Sequence, residues 1–299
     1  MAETTNIHKL QHLHFTSDTG EHSQSELDTL IKEVRDRGVT DLFMFAHGLN
    51  DNHDNCENNR LAKDAAIRIV KERGAGDLRA RRVLGASPLL WRADSELDLV
   101  RGILHERAKN IGTKGMWTVL TQLKDVVGEH LNVHLSGHST GTIPVAYAAY
   151  HSRGLNHNAR TLVKSLFLLQ SILPTRAFYR PPTSEDGGYG MLAGTELQID
   201  GPIVVTQASE DSMLWWSDKT VDKNPIGRVG LELCPPHQSH AKVGLDQIGA
   251  PLDFSGKMFW TLDIGGAVGS EHGMAVYDQR VAWAHLALAG VVEGRHRIT

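Results

Sequence analysis

Short, uniformly apolar runs recur along this chain, each separated from the next by a longer segment of helical period, and no other feature constrains the fold as tightly. A run with no polar alternate has no wet face, so it reads as a strand buried on both sides by helices in a mostly parallel sheet. The runs Asp41–Ala46, Val83–Trp91, Asn132–Leu135, Leu162–Leu169, Pro202–Thr206 and Lys257–Ile264 predict about six core strands. Between them, Ser25–Arg37 places Leu27, Leu30, Ile31 and Val34 on one helical face, and Ser25 three residues before Asp28 reads as a capping-type start. Further helices are expected at Asn55–Glu72, Leu97–Ile111, Met116–His130, Ile143–His151 and Val276–Ala289. The fold class is therefore α/β, with a mostly parallel central sheet flanked by helices on both faces.

Two stretches break the rhythm. Residues 172–201 carry Pro174, Pro181, Pro182 and several glycines, and residues 219–256 carry Pro225, Pro235, Pro236 and Pro251. They read as irregular excursions over the sheet edge that shape a cleft, since long loops in compact domains are usually functional. No internal repeat or low-complexity linker divides the chain, so residues 1–299 are expected to form one domain.

Charge and cysteine usage remove several function classes. With 31 basic and 35 acidic side chains, the formal net charge is −4, and no run of like charges suits nucleic acid or an anionic membrane. Cys56 and Cys234 lack CxxC spacing, so neither a disulfide framework nor a structural zinc site is indicated. The opening Met1–Asn6 has no basic segment leading into an apolar one, and no apolar run approaches the ~20 residues that span a bilayer. A cytoplasmic location is the expectation, although export without a cleavable signal would leave the same sequence.

The run Asn132–Leu135 leads directly into Ser136-Gly137-His138-Ser139-Thr140-Gly141 and then into the helix-forming Ile143–Tyr150. A strand that reverses into a helix this abruptly puts the central serine at a strained backbone angle. The positions two before and two after must then lack a Cβ. In return the hydroxyl stands clear of the sheet at the positive end of a helix, where developing negative charge is favoured. Gly-X-Ser-X-Gly alone is a weak signal; in this strand–turn–helix setting it marks Ser139 as a nucleophile.

On this motif the chain resembles the α/β-hydrolase superfamily over Asp41 to Ala289. A second segment agrees: the strand ending at Ala46 runs into His47-Gly48-Leu49-Asn50, similar to the His-Gly segment that follows the third strand in that superfamily. The resemblance implies an oxyanion hole built from the backbone N–H groups of Leu49 and Thr140, with Gly48 allowing close approach of substrate. It also implies the chain order serine, acid, histidine. After Pro202–Thr206 come Glu210 and Asp211, of which Asp211 is the expected acid and Glu210 its rival. After Lys257–Ile264 a glycine-rich loop ends in His272, the expected base, whereas His285 lies inside the closing helix and His237 and His240 precede the last strand.

The implied activity is hydrolysis of a carboxylic ester through an acyl-enzyme, without metal or organic cofactor, on a small-molecule or acyl substrate. Amide, peptide and thioester cleavage stay open because fold and triad do not select the leaving group, as does a non-catalytic protein that binds a ligand in the same cleft. A lid-covered lipase would need an amphipathic segment over the cleft, and residues 172–201 are rich in Pro, Gly and charge instead. The histidines His8, His12 and His14, and the group His47, His53, Asp54 and Cys56, lack metal-ligand spacing. Asn50–Asn59 suits a helix-entry loop. Trp215 and Trp216 are expected to pack the helix after the acid, with an acyl-pocket wall as the alternative. Oligomeric state is not legible.

Overall fold

The computed structural model describes residues 7–15, 19–48, 53–73, 76–78, 83–89, 103–152, 162–180, 190–215, 224–231, 240–245, 248 and 252–294. The strands β1 (Ile7–His14), β2 (Asp41–Ala46), β3 (Gly76–Leu78), β4 (Val83–Leu89), β5 (Asn132–His138), β6 (Val163–Leu169), β7 (Ile203–Gln207), β8 (His240–Gly244), β9 (Phe259–Asp263) and β10 (Val292–Gly294) fall into two sheets. The larger has eight strands in the order β1-β4-β2-β5-β6-β7-β9-β8, with parallel pairing throughout. The smaller is the antiparallel pair β3 and β10.

Helices cover both faces. They are α1 (Gln24–Asp36), α2 (His53–Arg73), α3 (Ile103–Asn110), α4 (Trp117–Val127), α5 (Thr142–His151) and α6 (Gln279–Leu288). The sheet's side chains divide by strand parity. Leu42, Met44 and Ala46 of β2 join Val133 and Leu135 of β5 in a core shared with Leu27 and Leu30 of α1, Leu120 and Leu123 of α4 and Val145 of α5. On the other face Phe43 packs with Ala62, Ala66 and Ile67 of α2 and with Trp283 and Leu286 of α6. Phe45 and Phe167 join Val281 and Ala284 in the adjoining cluster. The absence of a polar alternate in β2 thus reflects burial on both sides, and all six of its residues are buried.

Strand order locates the cleft. From β2 the chain moves outward to β4, then returns across β2 to β5 and proceeds through β6 and β7 toward β9. The direction of winding reverses between β2 and β5, and the carboxyl ends of two such strands splay apart to leave a crevice. His47 and Ser139 follow those two ends.

Several expectations are corrected. The six expected strands are present, but β1 and β8 extend the sheet to eight. The segment 219–256 is accordingly not irregular throughout: it contains β8 and a helical turn at Ile226–Val229. Residues 172–201 contribute buried Leu173, Ala177, Phe178, Leu192 and Ile199 to the core, so the described part of that stretch is packed against the sheet. The two middle helices merge into one helical run, α3 and α4 joined by a π-helical turn at Ile111–Met116. The capping box at Ser25 is not formed. Helix α1 is capped at Ser23 without a side-chain bond, and Asp28 accepts from Gln24 Nε2 at 2.8 Å.

One buried cation has a measurable consequence. Lys63 of α2 is 2% exposed, lies 5.7 Å from the ring centre of Phe43 and 6.0 Å from that of Phe45, and donates to Asn59 Oδ1. Burial lowers its pKa from the usual lysine value to about 7, against a smaller upward pull from Asp64. Because the folded value lies below the unfolded one, the unfolded chain binds the proton more tightly. The penalty on folding is therefore full below pH 7 and fades as pH rises toward the ordinary lysine range. Denaturant titrations should show stability rising between pH 7 and about 10, and Lys63→Met should remove that slope while stabilising the protein at pH 7 by on the order of a few kcal/mol. Parallel pH profiles for the two proteins would contradict this account.

Candidate active site

At the end of β5 the backbone turns so sharply that Ser139 adopts φ 54°, a conformation uncommon for a residue with a side chain. The turn Ser139–Gly141 then opens α5. The glycine requirement is literal. A Cβ on Gly137 would lie 2.3 Å from the carbonyl oxygen of Gly141, and a Cβ on Gly141 would lie 2.2 Å from that of His47 and 2.4 Å from that of Ala46. The second contact also shows how the segment after β2 reaches the elbow: its backbone rests directly on the turn. Thr142 Oγ1 closes the turn by donating to the Ser139 carbonyl at 2.5 Å and contacts Ser171 Oγ at 2.8 Å, tying the elbow to the chain after β6.

The expected acid and base lie together. Nδ1 of His272 hydrogen-bonds Oδ2 of Asp211 at 2.8 Å, across 61 residues of sequence. The Asp211 side chain is fully buried, and that of His272 is 14% exposed. Oδ1 of Asp211 accepts the N–H groups of Met213 and Leu214, each at 3.0 Å, and so caps the turn that follows it. Burial pushes this carboxyl upward. The hydrogen bond and charge of His272, the Leu214 N–H and the Gln170 amide together outweigh burial and hold its pKa below the usual aspartate value. Glu210, the rival acid, is exposed.

The His272 ring packs on that of His138, the residue before Ser139, with ring centres 4.8 Å apart and planes at 42°. Asp211 and His272 thus meet beyond the carboxyl ends of β7 and β9, with the imidazole against the residue that precedes Ser139. Of the expected oxyanion residues, Thr140 is 3% exposed in the elbow and Gly48 is buried beside it, its carbonyl 2.8 Å from His47 Nδ1. Leu49 and Asn50 lie outside the described residues, as do Cys234 and His237.

The other marked residues lie elsewhere. His285 is 1% exposed, stacked on Phe167 at 4.7 Å, and burial holds its pKa well below the usual histidine value. Trp215 is 48% exposed, so Leu214, fully buried, packs the turn after the acid; Trp216 is outside the described residues. Cys56 is buried, 1% exposed. Among the described residues no three His, Cys, Asp or Glu side chains converge as metal ligands, and no helix is long and apolar enough to cross a membrane. One residue of the site carried no sequence signal beyond being polar at a strand end. Gln170 follows β6, and its Nε2 donates to Asp211 Oδ2 at 2.6 Å.

No protein-family model matches the chain, and no curated protein matches its sequence. Among solved structures it is similar to a lipase-esterase related protein from Clostridium acetobutylicum, with 12% identity and a TM-score of 0.32 over 84% of this chain and 94% of that one. It is also similar to the phospholipase PlaB from Legionella pneumophila in complex with thio-NAD, with 14% identity and a TM-score of 0.26. That likeness covers 69% of this chain, which spans 38% of the phospholipase.

The tight approach at the elbow can be tested alone. Gly141→Ala forces its new carbon against two carbonyl oxygens, so thermal or denaturant unfolding should show a loss of ~1–3 kcal/mol or more. Gly244→Ala, which meets nothing within 4 Å, should be near neutral. Equal stability of the two variants would refute the packing described.

Proposed function

We propose that this chain is a serine hydrolase that cleaves a carboxylic ester by way of an acyl-enzyme. The observation that carries the reading is the 2.8 Å hydrogen bond from His272 to a buried Asp211, with the imidazole packed on the residue adjoining a strained Ser139. A serine hydroxyl is a weak nucleophile until a base takes its proton, and an imidazole is an effective base when a carboxylate fixes its tautomer. With Nδ1–H committed to Asp211, Nε2 is the nitrogen left to accept the Ser139 proton.

The serine oxygen attacks the carbonyl carbon as the proton passes to His272, and the carbonyl becomes an oxyanion. The backbone N–H groups of Thr140 and Leu49 would receive that charge. Asp211 stabilises the imidazolium without taking its proton. His272 then gives the proton to the departing alcohol, and water enters by the same sequence to release the acid and regenerate Ser139. The two proline-bearing stretches, residues 172–201 and 219–256, would shape the acyl and alcohol subsites.

A small, soluble p-nitrophenyl ester gives the direct test. Ser139→Ala should abolish turnover and labelling by a fluorophosphonate while leaving the unfolding transition intact. Asp211→Asn should lower kcat by about 10⁴-fold, and Glu210→Gln should leave it near the wild-type value. Labelling of the Ser139→Ala protein at the wild-type rate would end this reading.

A further inference from the structure

Gln170 occupies the first position after β6 with φ 40°, so it and Ser139 are strained non-glycine residues at the ends of neighbouring strands. Such conformations are unfavourable and persist where the surroundings enforce them. Here the enforcing contact is visible: the Gln170 N–H donates to Thr206 Oγ1 of β7 at 2.8 Å. The result is a fully buried amide aimed at the acid and the base loop.

That amide uses both ends. Nε2 donates to Asp211 Oδ2 at 2.6 Å and to the Glu271 carbonyl at 3.0 Å, while Oε1 accepts the Gly273 N–H at 2.9 Å. Its orientation is determined by its partners, since a carboxylate and a carbonyl can only accept and a peptide N–H can only donate. Glu271 and Gly273 flank His272, and Asp211 Oδ2 is the oxygen that His272 itself engages. One side chain therefore holds the base on both sides in sequence and shares its acceptor.

We infer that Gln170 is a positioning residue for the Asp211–His272 pair, setting the imidazole's place and limiting how strongly Asp211 polarises it. The inference rests on the hydrolase reading above. Removing the Nε2 donor would free the base loop and leave Asp211 Oδ2 with its full charge directed at His272.

The test compares wild type, Ser139→Ala, Gln170→Leu and Gln170→Glu on p-nitrophenyl butyrate from pH 5 to 9, with fluorophosphonate labelling and thermal unfolding run alongside. For Gln170→Leu the expected result is a fall in kcat of about 10²-fold with KM within about twofold of wild type. Gln170→Glu keeps the size of the side chain and the acceptor for Gly273. Protonated, its carboxyl can donate to Asp211; ionised, it opposes that carboxylate. Its activity relative to wild type should therefore be best at the acid end and decline as pH rises. A folded Gln170→Leu or Gln170→Glu protein with the wild-type kcat and pH profile overturns the inference, as does failure of both variants to fold, which would make the residue purely structural. Wild-type protein that neither turns over the ester nor takes up the probe overturns the hydrolase reading instead.

Discussion

Backbone pressed against backbone at Gly141 is the constraint from which the site's geometry follows. The carbonyls of Ala46 and His47 come so near that one additional carbon atom has no place there. The close approach brings the end of β2 against the start of α5 and leaves Ser139 at the crest of the turn. A strand and a helix joined through such a bend cannot relax independently, because β2 is hydrogen-bonded to β5 along six residue pairs, from Asp41 opposite Asn132 to Ala46 opposite Gly137. Sheet register and elbow geometry are therefore one property.

Around that bend the fold supplies acceptors before it supplies the base. Asp211 receives two backbone N–H groups from its own turn and an amide hydrogen from Gln170, so three donors surround it apart from His272. A buried carboxylate with this many partners remains ionised at low cost. The imidazole therefore meets a charge whose position is already determined by β6 and β7.

Much of this was legible in the sequence, for identifiable reasons. Strands buried on both faces, such as Asp41–Ala46, leave an unbroken apolar run, and the elbow announces itself through two glycines that sterics make obligatory. Asp211 and His272 follow from the chain order that the resemblance implies, each after a late strand, and the structure brings them within hydrogen-bonding distance. The edges were not legible. Ile7, Leu10 and Leu13 are spaced by three, a helical interval, and the pairing of β1 slips by one residue between His8 and Leu10. The short β8, His-Ala-Lys-Val-Gly, carries a lysine and a glycine, as edge strands tend to, and lies in a stretch whose prolines read as loop. Gln170 escaped because a neutral amide belongs to no motif and its importance lies in a backbone angle.

The wide spacing of the site along the polypeptide also bears on synthesis. In an all-parallel sheet no strand can pair with its successor through a tight hairpin, so β5 is joined to β6, and β6 to β7, only through crossovers. Ser139 leaves the ribosome with the central strands, yet the His272 imidazole is encoded 133 residues later, as the difference between positions 272 and 139. On the function proposed, a growing chain displays the hydroxyl without the imidazole that would activate it, and the two come together only when the carboxyl-terminal strands and loops have docked.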